Sequence, residues 1–106
     1  PPIIIIIFFL KTIEKPTIEN DSETEIKTIS GGELIIPCGI SLGNPPGKVK
    51  WFKNDVELIK TDKISWNDSG DLKIKDSKGE DGGIYTCVAE NVVGKISRES
   101  NIVISG

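Results

Sequence analysis

Apolar and polar positions alternate along most of this chain. Leu34, Ile36 and Cys38 are interleaved with Glu33, Ile35 and Pro37, and Val49 and Trp51 with Lys50 and Phe52. Leu72 and Ile74 stand between Asp71, Lys73 and Lys75, while Tyr85, Cys87 and Ala89 stand between Ile84, Thr86, Val88 and Glu90. A period of two is that of a strand with one buried and one wet face, so the first set in each run is predicted inward and the second outward. Shorter strands are predicted at Pro16-Thr17-Ile18, Val56 to Ile59, Lys63 to Trp66 and Ile96 to Ile104. Turn residues punctuate them: Gly31-Gly32, Gly43-Asn44-Pro45-Pro46-Gly47, Asn54-Asp55, Asn67-Asp68-Ser69-Gly70, the glycine-rich stretch Lys78 to Gly83, and Gly94. Short strands with turn signals at this spacing predict an all-β, two-sheet sandwich with no helix longer than a turn.

The start of the chain breaks the pattern. Pro1 to Leu10 reads P-P-I-I-I-I-I-F-F-L, too short an apolar run to span a bilayer and without a visible basic leader or cleavage site. β-branched Ile favours extended backbone, so residues 1–15 are expected to be a linker or a docked extended segment ahead of a domain over 16–106. Glu19, Asp21, Glu23 and Glu25 share one parity, and a continuous strand would line them on one face as a weak Ca²⁺ or basic-partner site. An acidic edge that blocks strand addition is the simpler expectation.

Composition narrows the chemistry. A net charge of -3, a pI near 4.9 and dispersed lysines argue against nucleic acid. The chain has no His, hence neither an imidazole base nor a histidine metal ligand. Phosphate-cradling loops and nucleophile elbows are absent too. The expectation is a non-enzyme with no cofactor, no metal and no small-molecule substrate. No physical reason accounts for the missing His and Met beside abundant Ile; a designed or stand-alone domain would accommodate them.

Trp51 lies between the two cysteines, and Tyr85 precedes Cys87 by two. Asp81, Gly83, Tyr85, Cys87, Ala89, Asn91 and Gly94 fill the pattern D-x-G-x-Y-x-C-x-A-x-N-x-x-G in register. In these residues the chain strongly resembles the intermediate-set (I-set) immunoglobulin domain, over roughly residues 16–105. The resemblance implies an immunoglobulin-like Greek-key sandwich with a Cys38–Cys87 bridge packed on Trp51, and Leu72 in the core. A loop of that length is worth roughly 4 kcal/mol by chain entropy. Muscle domains of this type can instead keep both cysteines reduced. The resemblance further implies that the Tyr85 hydroxyl closes a corner onto backbone near Asp81 and that Lys63 pairs with Asp81, more weakly than Arg would. Ser77 stands where a small apolar residue is usual, so its hydroxyl needs a backbone partner. Asp55 stands where Gly is usual, which predicts a looser turn at Asn54-Asp55.

For function, the resemblance implies a non-catalytic module, foremost one extracellular domain of a tandem array in a cell-adhesion, receptor or matrix protein. The alternative is an intracellular domain of a titin- or twitchin-like sarcomeric protein. An even cysteine pair suggests an oxidising compartment, and two glycosylation triplets begin at Asn20 and Asn67. The expected partner is a protein, either a neighbouring immunoglobulin domain or a second copy, with membrane contact only through other parts of a parent chain. Strand parity nominates the face. Lys50, Phe52, Ile84, Val88 and Glu90 all point outward on neighbouring strands, an apolar centre with a charged rim. The opposite sheet offers only Ile35 among Glu33, Lys73 and Lys75 and is the poorer candidate.

Overall fold

The structure, a computed structural model, describes residues 12–19 and 25–106. The apolar run at the start of the chain and the Asn20 triplet lie outside the described residues. Ten strands form: β1 (Thr17–Ile18), β2 (Glu25–Ile29), β3 (Leu34–Ile36), β4 (Ile40–Ser41), β5 (Lys48–Lys53), β6 (Val56–Glu57), β7 (Ile64–Trp66), β8 (Leu72–Ile74), β9 (Gly83–Glu90) and β10 (Lys95–Ser105). One 3-10 turn, Gly79–Asp81, is the only helical element among the described residues.

The strands build two layers. One is a five-stranded sheet in the order β2-β10-β9-β5-β6; the other is the three-stranded β3-β8-β7, extended along the chain by the β1-β4 pair. All pairings are antiparallel except β2 with β10. Hydrophobic alternation dictates what lies between the layers. Leu34, Ile36, Ile40, Leu72 and Ile74 come from one, and Trp51, Tyr85, Cys87, Ala89 and Ile102 from the other; all are buried. Removing each large side chain from water is worth about 1.5–3 kcal/mol. The positions between them, Glu33, Ile35, Lys50, Ile84 and Glu90, are exposed.

Three expectations change. The Asn54-Asp55 turn is not loose: Phe52 pairs with Glu57 and Lys53 with Val56 across a two-residue link. Both linking residues take positive φ, 48° and 69°. That is the mirror-image geometry which matches strand twist, and Asn and Asp tolerate it better than other non-glycine residues. Asn54 is held besides: its N–H donates to the Ile84 carbonyl at 2.8 Å, and its Oδ1 accepts the Ile84 N–H at 3.0 Å. The strand expected over Val56 to Ile59 ends at Glu57, and Leu58 carries the same register one pair further by donating its N–H to the Trp51 carbonyl at 2.8 Å. Finally, Glu19 and Glu25 do not share a face. β1 pairs with β4 in one layer and β2 with β10 in the other, so the chain changes layers between them. Asp21 and Glu23 lie outside the described residues, and Glu25 sits 3.4 Å from Lys27.

Residues 12–16 are joined to the sandwich. Glu14 and Asn44 exchange backbone hydrogen bonds at 2.9 Å, Asn44 Nδ2 donates to the Thr12 carbonyl, and Pro16 is buried.

Trp51 is fixed by more than packing: its Nε1–H donates to the Gly70 carbonyl at 2.7 Å within the core. Trp51→Phe keeps an aromatic ring, though a smaller one, and strands that carbonyl. The expected loss is about 1–3 kcal/mol in urea unfolding; an unchanged midpoint would show that the hydrogen bond contributes nothing.

Candidate protein-interaction face

The face depends on a buried lock. Cys38 and Cys87 are joined by a disulfide across the two layers, their Cα atoms 5.5 Å apart. Trp51 pairs in register with Cys87 on the adjacent strand. Gly39, next to Cys38, has φ +69°, and a Cβ there would sit 3.1 Å from the Arg98 side chain. The break between β3 and β4 thus gives room to a buried arginine that alternation did not foretell. Arg98 has an inward-facing parity on β10 opposite Cys87.

A second lock closes the corner before β9. The Tyr85 hydroxyl donates to the Asp81 carbonyl, and Lys63 Nζ lies 2.9 Å from Asp81 Oδ2. The same carboxylate accepts the Lys78 N–H at 2.8 Å. Burial pushes the Asp81 carboxyl upward. The hydrogen bonds from Lys63 and Lys78 and the charges of Lys63 and Lys53 outweigh it, leaving the group below the ordinary carboxylate range. The hydrogen bond to Asp81 likewise raises the Lys63 ammonium against burial. Burial, with a smaller push from Asp81, raises Tyr85 to about 12. Nearby, the Ser77 hydroxyl, 1% exposed, donates to the Gly32 carbonyl at 3.0 Å.

Asn91 clamps the far end of β9. Its Nδ2–H donates to the carbonyls of Glu14 and Pro45, and its Oδ1 accepts the N–H groups of Val93 and Gly94. Lys15 packs so close that a Cβ on Gly94 would lie 2.9 Å from it. Gly83 opens β9 at φ +149°, with the Asn54 amide where a side chain would go. Asn67 is exposed on its turn, its Oδ1 accepting the Ser69 N–H at 3.0 Å and the Ser69 hydroxyl. It rims an open cleft of about 520 Å³ lined by Leu42, Val49, Lys60 and Trp66.

Strand register then lays out the outer face of the five-stranded sheet. One row across the strands is Lys48–Glu90–Lys95, and the next is Lys50–Val88–Ser97. A third is Glu57–Phe52–Thr86–Glu99, and a fourth runs Ile84–Asn101–Glu25. The nominated residues are brought together: Val88 sits beside Lys50, one row from Phe52, and Ile84 is 47% exposed two rows from Val88. Alternation named Lys50 and Glu90 as the rim but missed Lys48, Lys95, Glu57 and Glu99. Lys48 shares the parity of Lys50 on β5, whereas Lys95, Glu57 and Glu99 become visible only once the register of β10 and β6 is known. On the other sheet Ile35 is flanked by Lys73, itself 3.9 Å from Glu33.

Comparison with known proteins places this geometry. Residues 15–91 match the immunoglobulin domain family, and the chain belongs to it. Human Hemicentin-1 is 35% identical over 83 residues, covering 78% of this chain and 2% of that protein. Human Contactin-1 is 36% identical over 91 residues, covering 85% and 9%. The solved immunoglobulin domains 1–4 of Sidekick-1 superpose with a TM-score of 0.79 at 27% identity, over 89% of this chain and 25% of that one. The chain therefore spans a small part of these relatives. No helix among the described residues is long and apolar enough to cross a membrane.

The corner makes stability pH-dependent in two directions. Tyr85 has a raised pKa, so its contribution is complete below pH 10.0 and is lost as pH climbs toward about 12. Asp81 has a lowered pKa, so its contribution is complete above pH 3.8 and fades as pH falls through the folded value. Tyr85 is the chain's single tyrosine, so tyrosinate absorbance reports it alone. Ionisation of the folded protein near pH 12, with on the order of 2–3 kcal/mol of stability lost over that climb, is expected. Ionisation near pH 10 in the folded state would contradict the closed corner.

Proposed function

We propose that this chain is one extracellular I-set immunoglobulin domain of a tandem array, a non-catalytic module of an adhesion, receptor or matrix protein. In this reading it binds a protein partner through the outer face of β2-β10-β9-β5-β6. The observation that carries the reading is the patch itself: Phe52, Val88 and Ile84 at the centre, with Lys50, Glu57, Glu90 and Glu99 around them. An apolar centre with a charged rim is how interaction surfaces are built, and one aromatic can dominate their energy. The extracellular placement is supported by the Cys38–Cys87 bridge, which persists in oxidising compartments, and by the likeness to Hemicentin-1 and Contactin-1. The tandem arrangement draws on a structural neighbour that is itself a string of immunoglobulin domains. The exposed Asn67 triplet suits N-glycosylation in the same compartment.

Protein secreted from a eukaryotic cell tests this reading. Its mass is expected to lack two hydrogens for the bridge and to fall on treatment with peptide-N-glycosidase, through Asn67. Two freely alkylatable thiols would instead favour the sarcomeric type. Phe52→Asp and Val88→Lys each lie on the outer face and are expected to leave the melting temperature within a few degrees. Each should abolish the staining of partner-bearing cells by the labelled domain. Staining by the variants equal to wild type would move the binding site elsewhere.

A further inference from the structure

The rows of the five-stranded face carry charge in a definite order. The first two hold Lys48, Lys50 and Lys95 against Glu90 alone; the next two hold Glu57, Glu99 and Glu25 with no cation. All seven are exposed. Glu25 has a neighbour in Lys27, one row further on. None of the ion pairs among the described residues uses Lys48, Lys50, Lys95, Glu57 or Glu99. Val88, Thr86 and Phe52 lie where the two halves meet. The face is therefore basic at one end, acidic at the other and apolar between.

From this order we infer that the face is self-complementary and that its partner is a second copy of this chain. The inference rests on the reading of this face as the partner surface. Two copies laid face to face have two simple ways to obey a two-fold axis. If the axis runs along the strands, each row meets itself with the strand order reversed: an axis over β9 sets Lys48 against Lys95, and one between β5 and β9 sets Glu57 against Glu99 although it also brings Lys48 to Glu90, so like charges oppose either placement. If the axis runs across the strands between the Val88 and Thr86 rows, the order reverses. Lys50 then lies over the row holding Phe52 and Glu57 of the second copy, and Lys95 over the row holding Asn101 and Glu25, with Glu99 alongside. Val88 meets Thr86, and Phe52 is covered at the centre. Glu90 meets no cation of the other copy but keeps Lys48 and Lys95 as its own cross-strand neighbours. Charge thus selects one of the two arrangements, the antiparallel one.

The size of the face sets the strength. Five strands at about 4.8 Å by four rows at about 6.8 Å cover roughly 650 Å² per copy. That is below the about 800 Å² per partner of a stable complex. The association is weak and reversible, suited to many copies engaging at once rather than to a permanent dimer.

Sedimentation equilibrium of the full 106-residue chain, from about 10 μM to about 1 mM at low and high salt, tests the inference. The wild type is expected to form a dimer that weakens with salt. Lys50→Glu alone and Glu57→Lys alone should each weaken it by roughly tenfold or more. Mixing those two variants should restore dimers, because both contacts across the axis again join opposite charges. The double variant Lys50→Glu/Glu57→Lys should restore them as well. Association that ignores both single reversals would come from another surface, residues 1–11 included, and would overturn the inference. So would a double variant no better than the singles. A wild type that stays monomeric throughout overturns the second-copy partner but leaves the face, judged by cell staining with Phe52→Asp, to stand or fall separately.

Discussion

Everything in this domain hangs on the cross-layer contact among Cys38, Cys87 and Trp51. The disulfide ties β9 to the chain segment between β3 and β4, and the Trp51 indole is anchored to the Gly70 carbonyl in the opposite layer. With those tethers set, β5 and β9 have a fixed register, Trp51 opposite Cys87. The parity of each strand then leaves no choice about which side chains face out. Val88 and Phe52 face outward, half-buried, because Cys87 and Trp51 face inward. The corner at Asp81, Lys63 and Tyr85 fixes the other end of β9. The core and the corner thus together set the register and outward parity of this sheet's outer face.

The inward set was legible because one face of each strand is buried and a slip of one residue would expose all of it. Leu34, Ile36, Leu72, Ile74, Tyr85, Cys87 and Ala89 needed nothing beyond alternation. What alternation could not show is any contact made by backbone. The Gly70 carbonyl under Trp51, the Asn91 amide reaching Glu14 and Pro45, and the Asn54 amide holding Ile84 depend on loops brought together by the fold. The Asn54-Asp55 turn defied expectation for the same reason: its cost in left-handed backbone is offset by hydrogen bonds to a strand thirty residues away. Arg98 was hidden because a charged residue at an inward position reads as an irregularity, and only the bare backbone of Gly39 makes space for it. The acidic row failed because parity holds only within one strand, and the chain changes layers between Glu19 and Glu25.

For the candidate face, the residues nearest the centre were readable from β5 and β9 alone. The rim was not, since Glu57, Glu99 and Lys95 enter through strand pairing and have no sequence proximity to Val88. Yet it is the rim that gives the surface direction. An apolar patch of this size is unremarkable on a soluble domain. The same patch between a basic and an acidic half has an orientation, and orientation is what distinguishes a recognition surface from scattered exposed side chains.

The central claim, that the outer face of the five-stranded sheet is the interaction surface, is tested most directly by amide chemical shifts followed by NMR across a dilution series of the isotopically labelled chain. Concentration-dependent shifts are expected to cluster at Lys50, Phe52, Glu57, Ile84, Thr86, Val88 and Glu99 and to spare Glu33, Ile35 and Lys73 on the opposite sheet. Shifts gathered on Ile35 and Lys73, with Val88 and Phe52 unmoved, would contradict it.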